Sequence, residues 1–431
     1  MSHTMRDFPF LSNDTYYRAT STGSGYAALA GRLETAICII GGGFAGLATA
    51  LSLIEQGQRD VLVLEAETVG YGASGRNGGF VFGGFSLGER GLVDTVGLEQ
   101  ARKLYQLTLD GTALIRRRID TYHINCEATY AGIYLANWFD DERILDARQR
   151  FMTDTFGVEW QRIDRRQLAQ RLNSRRYFGG LFEAHAFHFH PLKYAQGMAN
   201  AIVAGGGRLC EQSRVTHIAP DGGGWRIGTA RGEVRAREVV ICGGGYIERL
   251  YPRLAAASLP IATYVMATEP LGKRLESAMQ TAAAVYDTRF AFDYYRPLAD
   301  TRLLWGGRIS IRHRSPQAVA HLLYRDMLKV YPQLAGAQIH YAWSGMMSYG
   351  RHKMPQLGRL PEGLWYGTGF GGHGVSPTTL AGEVLARGLL GDVKDLRRFA
   401  PWGLPATGGR AGLLAAQMTY WYYELLDWLR Q

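Results

Sequence analysis

Four residues near the N-terminus have the types and spacing of a site that binds a nucleotide pyrophosphate. Gly41, Gly43 and Gly46 form G-x-G-x-x-G, and Glu65 follows 19 residues after the last of them. Gly41 permits a tight turn, Gly43 lets the backbone approach a pyrophosphate, and Gly46 lets a helix pack closely on a strand. A carboxylate at the position of Glu65 accepts hydrogen bonds from the hydroxyls of an adenosine ribose. These residues predict a dinucleotide-binding site.

The elements that would position these residues are a strand, a helix and a second strand. Residues 36–40 are a short apolar run, which is typical of a buried strand. Apolar residues then recur at helical spacing over 45–54 until Gly57 ends the helix, and residues 61–64 form the second strand, with Glu65 at its end. The chain has 55 glycines, so the glycine motif alone is weak evidence. Its combination with both strands and the acid within 31 residues is specific.

Two further glycine-rich segments carry polar side chains that suit a cofactor. Residues 69–85 contain seven glycines together with Ser74, Arg76 and Asn77. The aromatic residues among these glycines favour a loop packed against a flat ring over a flexible connector. Residues 363–374 are a strand followed by a loop that holds four glycines and His373. A helix is predicted directly after this loop, so that its N-terminus is directed at the ligand.

The composition is that of a soluble globular enzyme, with 46% hydrophobic and 20% charged residues. A length of 431 residues allows two or three domains. The net charge of +10 is spread over scattered arginines, which disfavours nucleic acid as a partner and leaves attraction of an acidic substrate or cofactor open. The four cysteines lack C-x-x-C spacing and indicate neither a disulfide scaffold nor a zinc site.

We expect a cytoplasmic protein without a transmembrane segment. The N-terminus lacks the apolar segment of a signal peptide, and no uncharged apolar run reaches the roughly 18 residues of a membrane span. Residues 412–429 have the pattern of an aromatic amphipathic helix. Its apolar face is expected to rest on the body of the protein, on another subunit or on a membrane surface. The oligomeric state stays open.

Five sequence blocks, taken in their order along the chain, resemble the D-amino-acid oxidase superfamily of FAD-dependent oxidoreductases, and more narrowly its gamma-glutamylputrescine oxidase branch. The resemblance extends over about residues 15–430, and GASGRNGG is its most specific block. The residues that carry it are GGGFAG at 41–46 with Glu65, GYGASGRNGG at 70–79, VVICGGGY at 239–246, YYRPLADTRLLWGG at 294–307 and GTGFGGHGVS at 367–376.

The fold class that we predict is α/β, with an FAD-binding Rossmann-like domain of the glutathione-reductase type and a discontinuous α+β substrate domain on an antiparallel sheet. Residues 225–227 and 233–235 are predicted to form a hairpin across a glycine turn, and 238–242 a separate buried strand. The predicted boundaries are an N-terminal arm over 1–29, the FAD-binding domain over 30–95, 178–250 and 346–395, the substrate domain over 96–177 and 251–345, and a C-terminal helical extension over 396–431.

The resemblance implies a bound FAD and assigns its contacts position by position. Glu65 would face the adenosine ribose, Val215 the adenine, and the loop around His373 the pyrimidine edge of the flavin. No cysteine falls in the flavin-facing blocks, so we expect noncovalent FAD. The implied cofactor-binding residues are Gly41, Gly43, Phe44, Ala45, Gly46, Glu65, Ala66, Gly72, Ala73, Ser74, Arg76, Asn77, Gly78, Val215, Gly243, Gly369, Gly371, Gly372, His373, Gly374 and Val375.

The candidate catalytic residues are His373, Arg296, Tyr295 and Tyr264. Arg296 would hold a substrate carboxylate or take part in an interdomain salt bridge, and Tyr264 would contact substrate or belong to the core. His373 would contact the cofactor or act as an acid–base group. Tyr294, Tyr295 and Arg296 share a predicted strand, so alternate side chains point in opposite directions.

A further histidine cluster invites a metal interpretation. His185, His188 and His190 form H-x-x-H-x-H, but no carboxylate or cysteine completes an obvious ligand set. We therefore expect no metal. The resemblance places these histidines in an interdomain segment, where they would line the flavin or substrate cavity.

The activity that the resemblance implies is oxidation of a C–N bond in a primary or secondary amine, such as a gamma-glutamylputrescine-like amine or an amino acid. A hydride would move to flavin N5, the imine would hydrolyse, and oxygen would be reduced to hydrogen peroxide. One alternative is a dehydrogenase that passes electrons to a quinone or a carrier protein. A lesser alternative is a non-catalytic FAD-binding protein.

Overall fold

The computed structural model describes residues 8–430, which form two large sheets with helices around them. The strands are β1 (Gly31–Ile40), β2 (Val61–Leu64), β3 (Phe80–Val81), β4 (Ile133–Ala136), β5 (Gln161–Ile163), β6 (Gly180–Glu183), β7 (Phe187–His188), β8 (Arg208–Cys210), β9 (Val215–Asp221), β10 (Gly224–Thr229), β11 (Gly232–Ile241), β12 (Leu259–Thr268), β13 (Ala284–Asp287), β14 (Asp293–Pro297), β15 (Leu303–Ser310), β16 (Ile339–Tyr349), β17 (Gln356–Arg359) and β18 (Trp365–Thr368).

The helices are α1 (Tyr16–Ala19), α2 (Phe44–Glu55), α3 (Glu89–Thr121), α4 (Arg143–Phe156), α5 (Arg165–Leu172), α6 (Pro191–Ala204), α7 (Pro252–Ala256), α8 (Lys273–Glu276), α9 (Pro316–Val330), α10 (Val375–Leu389) and α11 (Gly409–Leu429). Short 3₁₀ turns span Ala73–Gly75, Gly244–Tyr246, Pro332–Leu334 and Leu396–Phe399. Helix α3 bends at Gly97, whose φ of +75° interrupts the helical backbone.

The first sheet contains the predicted dinucleotide-binding elements. Its strands follow the order β17-β18-β11-β1-β2-β8, with β10 added to β11 and β9 to β10. Strands β18, β11, β1, β2 and β8 run parallel. The last six residues of β1 are buried, because α2, α6 and α10 pack on one face of the sheet and apolar residues of β9–β11 pack on the other. This two-sided burial explains the continuous apolar run in β1.

The structure corrects one part of the prediction for this sheet. The hairpin of β10 and β11 is confirmed, but the separate strand predicted over 238–242 is wrong, because β11 runs unbroken from Gly232 to Ile241. The turn of the hairpin is Ala230–Arg231 rather than a glycine turn. The first half of β11 alternates polar and apolar residues and the second half is apolar throughout, since only the second half is buried on both faces.

The second sheet supplies the surface that faces the predicted cofactor site. Its order is β16-β12-β15-β14-β13-β4-β6-β5, and all neighbouring pairs are antiparallel except β13 with β4. Helix α9 packs on one face through a core that includes Tyr264 and Tyr295. Strand β6 belongs to this sheet, although the predicted boundary at 178 places it in the FAD-binding domain.

The predicted N-terminal arm packs against both halves of the molecule over the residues that the structure describes. Tyr16 and Tyr17 of α1 are buried in a cluster with Trp343 of β16 and Leu192 of α6. Thr15 caps α1 by accepting a hydrogen bond from the backbone N–H of Arg18 at 3.1 Å. Positions 1–7 of the arm lie outside the described residues.

The C-terminal helix α11 turns a mixed side toward the body, on which Leu413, Ala416 and Tyr420 accompany three polar residues. Gln417 accepts a hydrogen bond from the backbone N–H of Ile311 at 3.1 Å, and Asp427 accepts one from that of Ala291 at 3.0 Å. Glu424 pairs with a cavity-lining guanidinium on β15. The outer face of α11, as we name it, comprises eight side chains that are 40–67% exposed: Leu414, Met418, Trp421, Tyr422, Tyr423, Leu425, Trp428 and Leu429.

Of the three positions expected for the apolar face of this helix, contact with the body holds in part, because Leu413, Ala416 and Tyr420 pack against the body while the outer face does not. Polar partners on distant segments hold the opposite side against the protein, so the residues of the outer face point outward. Within residues 8–430, no helix is both long and apolar enough to cross a membrane.

The tight packing of α10 on α2 generates a prediction about stability. A Cβ added at Gly382 would lie 2.5 Å from backbone and side-chain atoms of Ala48, so Gly382→Ala forces the two helices apart. We expect a loss of about 1–3 kcal/mol in the free energy of unfolding, measured by thermal or urea unfolding. The control is Gly91→Ala in α3, where the added Cβ meets only the end of the Leu87 side chain. Equal stability of both variants would contradict the prediction.

Candidate active site

A cavity of about 1530 Å³ lies between the two sheets and is lined by residues of both. It extends from the β1–α2 turn and Glu65 to the loop around His373 and the surface of the second sheet. Pockets for a single small ligand are typically about 300–1,000 Å³. The cavity therefore has room for an extended cofactor together with a second molecule.

The β1–α2 turn forms one end of this cavity, and its glycines are required by close backbone contacts. Gly41 has a φ of +114°, and a Cβ there would lie 2.6 Å from the carbonyl oxygen of Cys242. A Cβ at Gly46 would lie 1.9 Å from the carbonyl oxygen of Gly41. Gly41, Gly43, Phe44 and Ala45 line the cavity, whereas Gly46 contributes by this packing.

Glu65 lies at the end of β2, where its carboxylate lines the cavity. One carboxylate oxygen accepts the backbone N–H of Gly42 at 2.6 Å and the other that of Glu67 at 2.9 Å. Burial raises the pKa of Glu65, and these two hydrogen bonds oppose that shift. Each carboxylate oxygen keeps a free lone pair, which is the acceptor that a ribose hydroxyl needs. Ala66 and Val215 line the same end of the cavity.

The loop between β2 and β3 is organised by its own polar side chains. The Ser74 hydroxyl accepts the backbone N–H of Phe44, at the start of α2, at 2.8 Å. Asn77 donates to the carbonyl of Ser74 at 2.8 Å and accepts the N–H of Gly79 at 2.7 Å. Arg76 donates to the carbonyl of Tyr71 at 2.8 Å. These bonds fix the shape of the loop, whose predicted cofactor residues Gly72, Ala73, Ser74, Arg76, Asn77 and Gly78 all line the cavity.

A second glycine loop closes the opposite wall, with α10 beginning at Val375. Gly371 has a φ of +64°, and a Cβ there would lie 2.3 Å from the hydroxyl oxygen of Ser86. Gly369 faces Gln356 instead of the cavity, at a turn with a φ of +74°. The predicted residues of this wall that do line the cavity are Gly371, Gly372, His373, Gly374 and Val375, and Gly243 lines it beside Gly41 at the other end. Because α10 starts here, its positive end is directed at the cavity.

His373 packs its imidazole ring against Phe82 at a centroid distance of 4.2 Å. Its backbone N–H donates to the Ser86 hydroxyl at 3.0 Å. Burial lowers the pKa of His373, although the negative charge of Glu89 and two backbone carbonyls oppose the shift. The imidazole is therefore neutral near pH 7. Within residues 8–430, its Nε2 atom is buried and has no hydrogen-bond partner.

The other three candidate catalytic residues lie away from the cavity. Tyr264 is buried in the core and donates to the carbonyl of Arg312 at 2.7 Å. Tyr295 is fully buried and stacks on Trp305 at 4.3 Å. Strand alternation turns the neighbouring Tyr294, which the prediction left aside, toward the cavity instead.

Arg296 supports the cofactor loop from behind. Its guanidinium donates to the carbonyl of Gly78 at 2.7 Å and to that of Phe189 at 2.8 Å. It also contacts the hydroxyl of Tyr17 and the ring nitrogen of His188, both at 3.3 Å. Of the two roles considered for Arg296, contact with a substrate carboxylate is not supported by this placement. The guanidinium instead joins both halves of the molecule through backbone carbonyls.

The histidine cluster is likewise directed away from the cavity. His188 binds the carbonyl of Ala282 through Nε2 at 2.8 Å, and burial followed by the charge of Arg296 lowers its pKa to about 3. His190 caps α6 by accepting the backbone N–H of Lys193. His185 is exposed. Among the described residues, no group of three or more histidine, cysteine or carboxylate side chains is arranged to hold a metal.

Several cavity residues carry no sequence signal and were missed by the prediction. Glu89 begins α3 and forms an ion pair with Arg148 of α4 at 2.6 Å. Neither residue stands out in the sequence, because each belongs to a helix with an ordinary pattern of polar residues. Aromatic residues from distant strands complete the walls. The missed residues include Glu89, Arg148, Trp160, Tyr286, Arg289, Phe292, Arg308 and Tyr349.

The residues present fit an FAD molecule. The glycine turn with the start of α2 suits a pyrophosphate, the free lone pairs of Glu65 suit a ribose, and the second glycine loop with the start of α10 forms the far wall. The Cys242 thiol faces the core near Thr49, and burial raises its pKa to about 12, so it is not a reactive thiolate.

Comparison with known proteins agrees with this arrangement. The chain is 36% identical over 400 residues to gamma-glutamylputrescine oxidoreductase of Escherichia coli K12, a match that covers 91% of this chain and 92% of that protein. It is 35% identical over 401 residues to the probable oxidoreductase OrdL of Haemophilus influenzae, covering 91% of each chain.

Solved structures and a family model match as well. Glycine oxidase from Geobacillus kaustophilus superposes with a TM-score of 0.72 at 22% identity, covering 86% of this chain and 99% of that one, which confirms the predicted fold class. Residues 36–387 match the family described as DAO, FAD dependent oxidoreductase. The chain therefore belongs to the DAO family of FAD-dependent oxidoreductases.

Proposed function

We propose that the protein oxidises the C–N bond of a primary or secondary amine, either a gamma-glutamylputrescine-like amine or an amino acid, and passes the electrons to oxygen. The observation that carries the proposal is one cavity that joins the dinucleotide-binding turn to aromatic walls on the second sheet. The relative from Escherichia coli, 36% identical over 91% of this chain, is named for an amine substrate of this kind.

The residues of the cavity suit the binding of an amine in its neutral form. When bound, FAD supplies the oxidant, which takes a hydride from the amine carbon. Phe82, Tyr286, Phe292 and Tyr294 provide apolar walls that orient the substrate and exclude water. Exclusion of water favours the uncharged amine over the ammonium ion. After oxidation, the imine would be hydrolysed in water and oxygen would be reduced to hydrogen peroxide.

An alternative acceptor is a quinone or a carrier protein, and one observation favours it. Helix α11 contributes Ala415, Ala416, Thr419 and Tyr420 to the cavity wall, while its outer face is apolar and exposed. A membrane or a protein that covers this face would be separated from the reaction cavity by the thickness of one helix. A non-catalytic role for FAD is the least supported alternative. The aromatic residues of the second sheet line the same cavity as the dinucleotide-binding turn, which has room for a substrate beside the cofactor.

The first prediction of this proposal concerns reduction of the flavin without air. The FAD-loaded protein is mixed anaerobically with gamma-glutamylated diamines, polyamines, D-amino acids and N-methyl amino acids, and absorbance is followed at the flavin band. We expect one class to bleach the band, and we expect air to restore it with release of hydrogen peroxide.

Three other results would change the proposal in different ways. Bleaching that air reverses slowly and a quinone reverses quickly would replace oxygen by the alternative acceptor. An intact flavin band with every amine would contradict amine oxidation. A colourless protein that cannot take up FAD would contradict both activities.

A second prediction separates the two roles considered for His373. Because its imidazole is neutral and lies in the cofactor wall, we propose that it contacts the cofactor. His373→Asn should shift the flavin absorbance and slow reduction by less than about 10-fold, with the pH profile unchanged, since general acid–base groups contribute about 10²–10⁴-fold. Stopped-flow reduction at several pH values tests this. Loss of one limb of the pH profile would assign an acid–base role instead.

A third prediction concerns Arg296 as a residue that positions the cofactor loop. Arg296→Met leaves the carbonyls of Gly78 and Phe189 without a donor, so the dissociation constant for FAD should rise by about 10-fold or more. Substrates with and without a carboxylate should be affected equally. The control is Arg175→Met, at an exposed arginine. A rise in KM confined to carboxylate-bearing amines, with FAD affinity unchanged, would show instead that Arg296 binds substrate.

A further inference from the structure

The outer face of α11 is an apolar surface that the described part of the chain leaves largely uncovered, with Tyr423 at its edge stacked on Phe290 at 4.5 Å. The face is built on a row at spacings of three and four, Leu414, Met418, Trp421, Leu425 and Trp428, and this row is flanked by Tyr422, Tyr423 and Leu429. With roughly 150–250 Å² for each aromatic side chain, the exposed fractions amount to on the order of 800 Å². The largest apolar patch of a typical monomer covers about 300–600 Å² and often marks an interaction site.

The orientation of α11 is fixed by polar bonds on its other side. Gln417 and Glu424 bind the end of β15, through the backbone N–H of the residue that follows it and through a guanidinium, and Asp427 binds a backbone N–H in the β13–β14 loop. Rotation of the helix to bury its apolar side would leave these partners unpaired in the interior. The outer face is therefore held outward by the fold.

The charges around the outer face are positive. Arg410 and Arg430 are exposed at the two ends of the helix, and Arg312 and Arg314 are exposed on the loop that contacts its middle. None of these four guanidinium groups forms an ion pair with another residue between positions 8 and 430. Both carboxylates of the helix face the body, so the outer face presents no acid of its own.

We propose that the outer face of α11 docks on the anionic surface of a lipid bilayer. Four of its eight side chains are Trp or Tyr, whose amphipathic rings prefer the membrane–water interface. The arginines at its edges complement anionic headgroups. A second copy of the chain is a poorer match, because pairing two outer faces would bring the same arginines together. The helix would lie in the plane of the interface, with its apolar side in the boundary of the acyl chains.

Docking in this orientation places the reaction cavity next to the bilayer. The opposite side of α11 forms part of the cavity wall, so a single helix would separate the cavity from lipid. The docking does not depend on which substrate the cavity takes. It can therefore hold or fail independently of the proposed amine oxidation.

The test uses the full-length, FAD-loaded protein and vesicles of phosphatidylcholine, with or without an equal share of phosphatidylglycerol. Flotation should show binding to the anionic vesicles that is on the order of 10-fold stronger than binding to the neutral ones. Leu425→Ser with Leu429→Ser, on the outer face, should lower binding at least 10-fold. The matched control is Leu98→Ser with Leu390→Ser, two leucines that are 45% and 47% exposed on other helices. It should bind as the unchanged protein does.

The result that supports the proposal is lipid binding that is lost only in the outer-face variant, with flavin absorbance and thermal unfolding unchanged. Absence of binding to anionic vesicles would overturn it. A dimer in analytical ultracentrifugation that dissociates only in the outer-face variant would also overturn it, because a second copy would then cover α11. Equal loss of binding in both variants would overturn it as well, since the lipid contact would not be specific to α11.

Discussion

The architecture depends on one contact between backbones, where α2 meets the end of β1. The carbonyl oxygen of Gly41 occupies the space that a side chain at Gly46 would need, at 1.9 Å from the position of a Cβ. This approach brings the start of α2 to the cavity and lets Ser74 accept the N–H of Phe44. The cofactor loop is thereby attached to the same helix that would bind the pyrophosphate. A side chain at Gly46 would disturb both at once.

The parts of the site that were predictable from sequence are those formed by contiguous residues. The glycine turn, Glu65 and the GASGRNGG loop fold through local hydrogen bonds, so their order along the chain already specifies their geometry. The same holds for β2, whose observed bounds equal the predicted residues 61–64. The boundaries between the two domains were harder to predict from the sequence, because β6 joins the second sheet only through pairing with β4 and β5.

The parts of the site that the sequence did not predict depend on which face of a strand a residue occupies and on contacts between residues far apart in the chain. Tyr294 and Tyr295 are adjacent and chemically alike, but one lines the cavity and the other stacks on Trp305. A shift of one residue in register would exchange them, and no local pattern fixes that register. Glu89 and Arg148 belong to different helices that meet only in the fold. Arg296 has the chemistry to bind a carboxylate, yet it is occupied by backbone carbonyls.

For α11, likewise, the amphipathic pattern did not predict which side of the helix faces the body. The sequence establishes that the helix has an apolar and a polar side, and burial of the apolar side is the usual outcome. Here three polar residues find partners on or next to the second sheet and face the body together with Leu413, Ala416 and Tyr420, so the larger apolar face stays exposed. A hydrogen bond formed in the interior offsets the desolvation cost of its donor and acceptor, so a polar side can be buried when each group has a partner. The apolar side then stays available for an external surface, and the helix connects that surface to the reaction cavity.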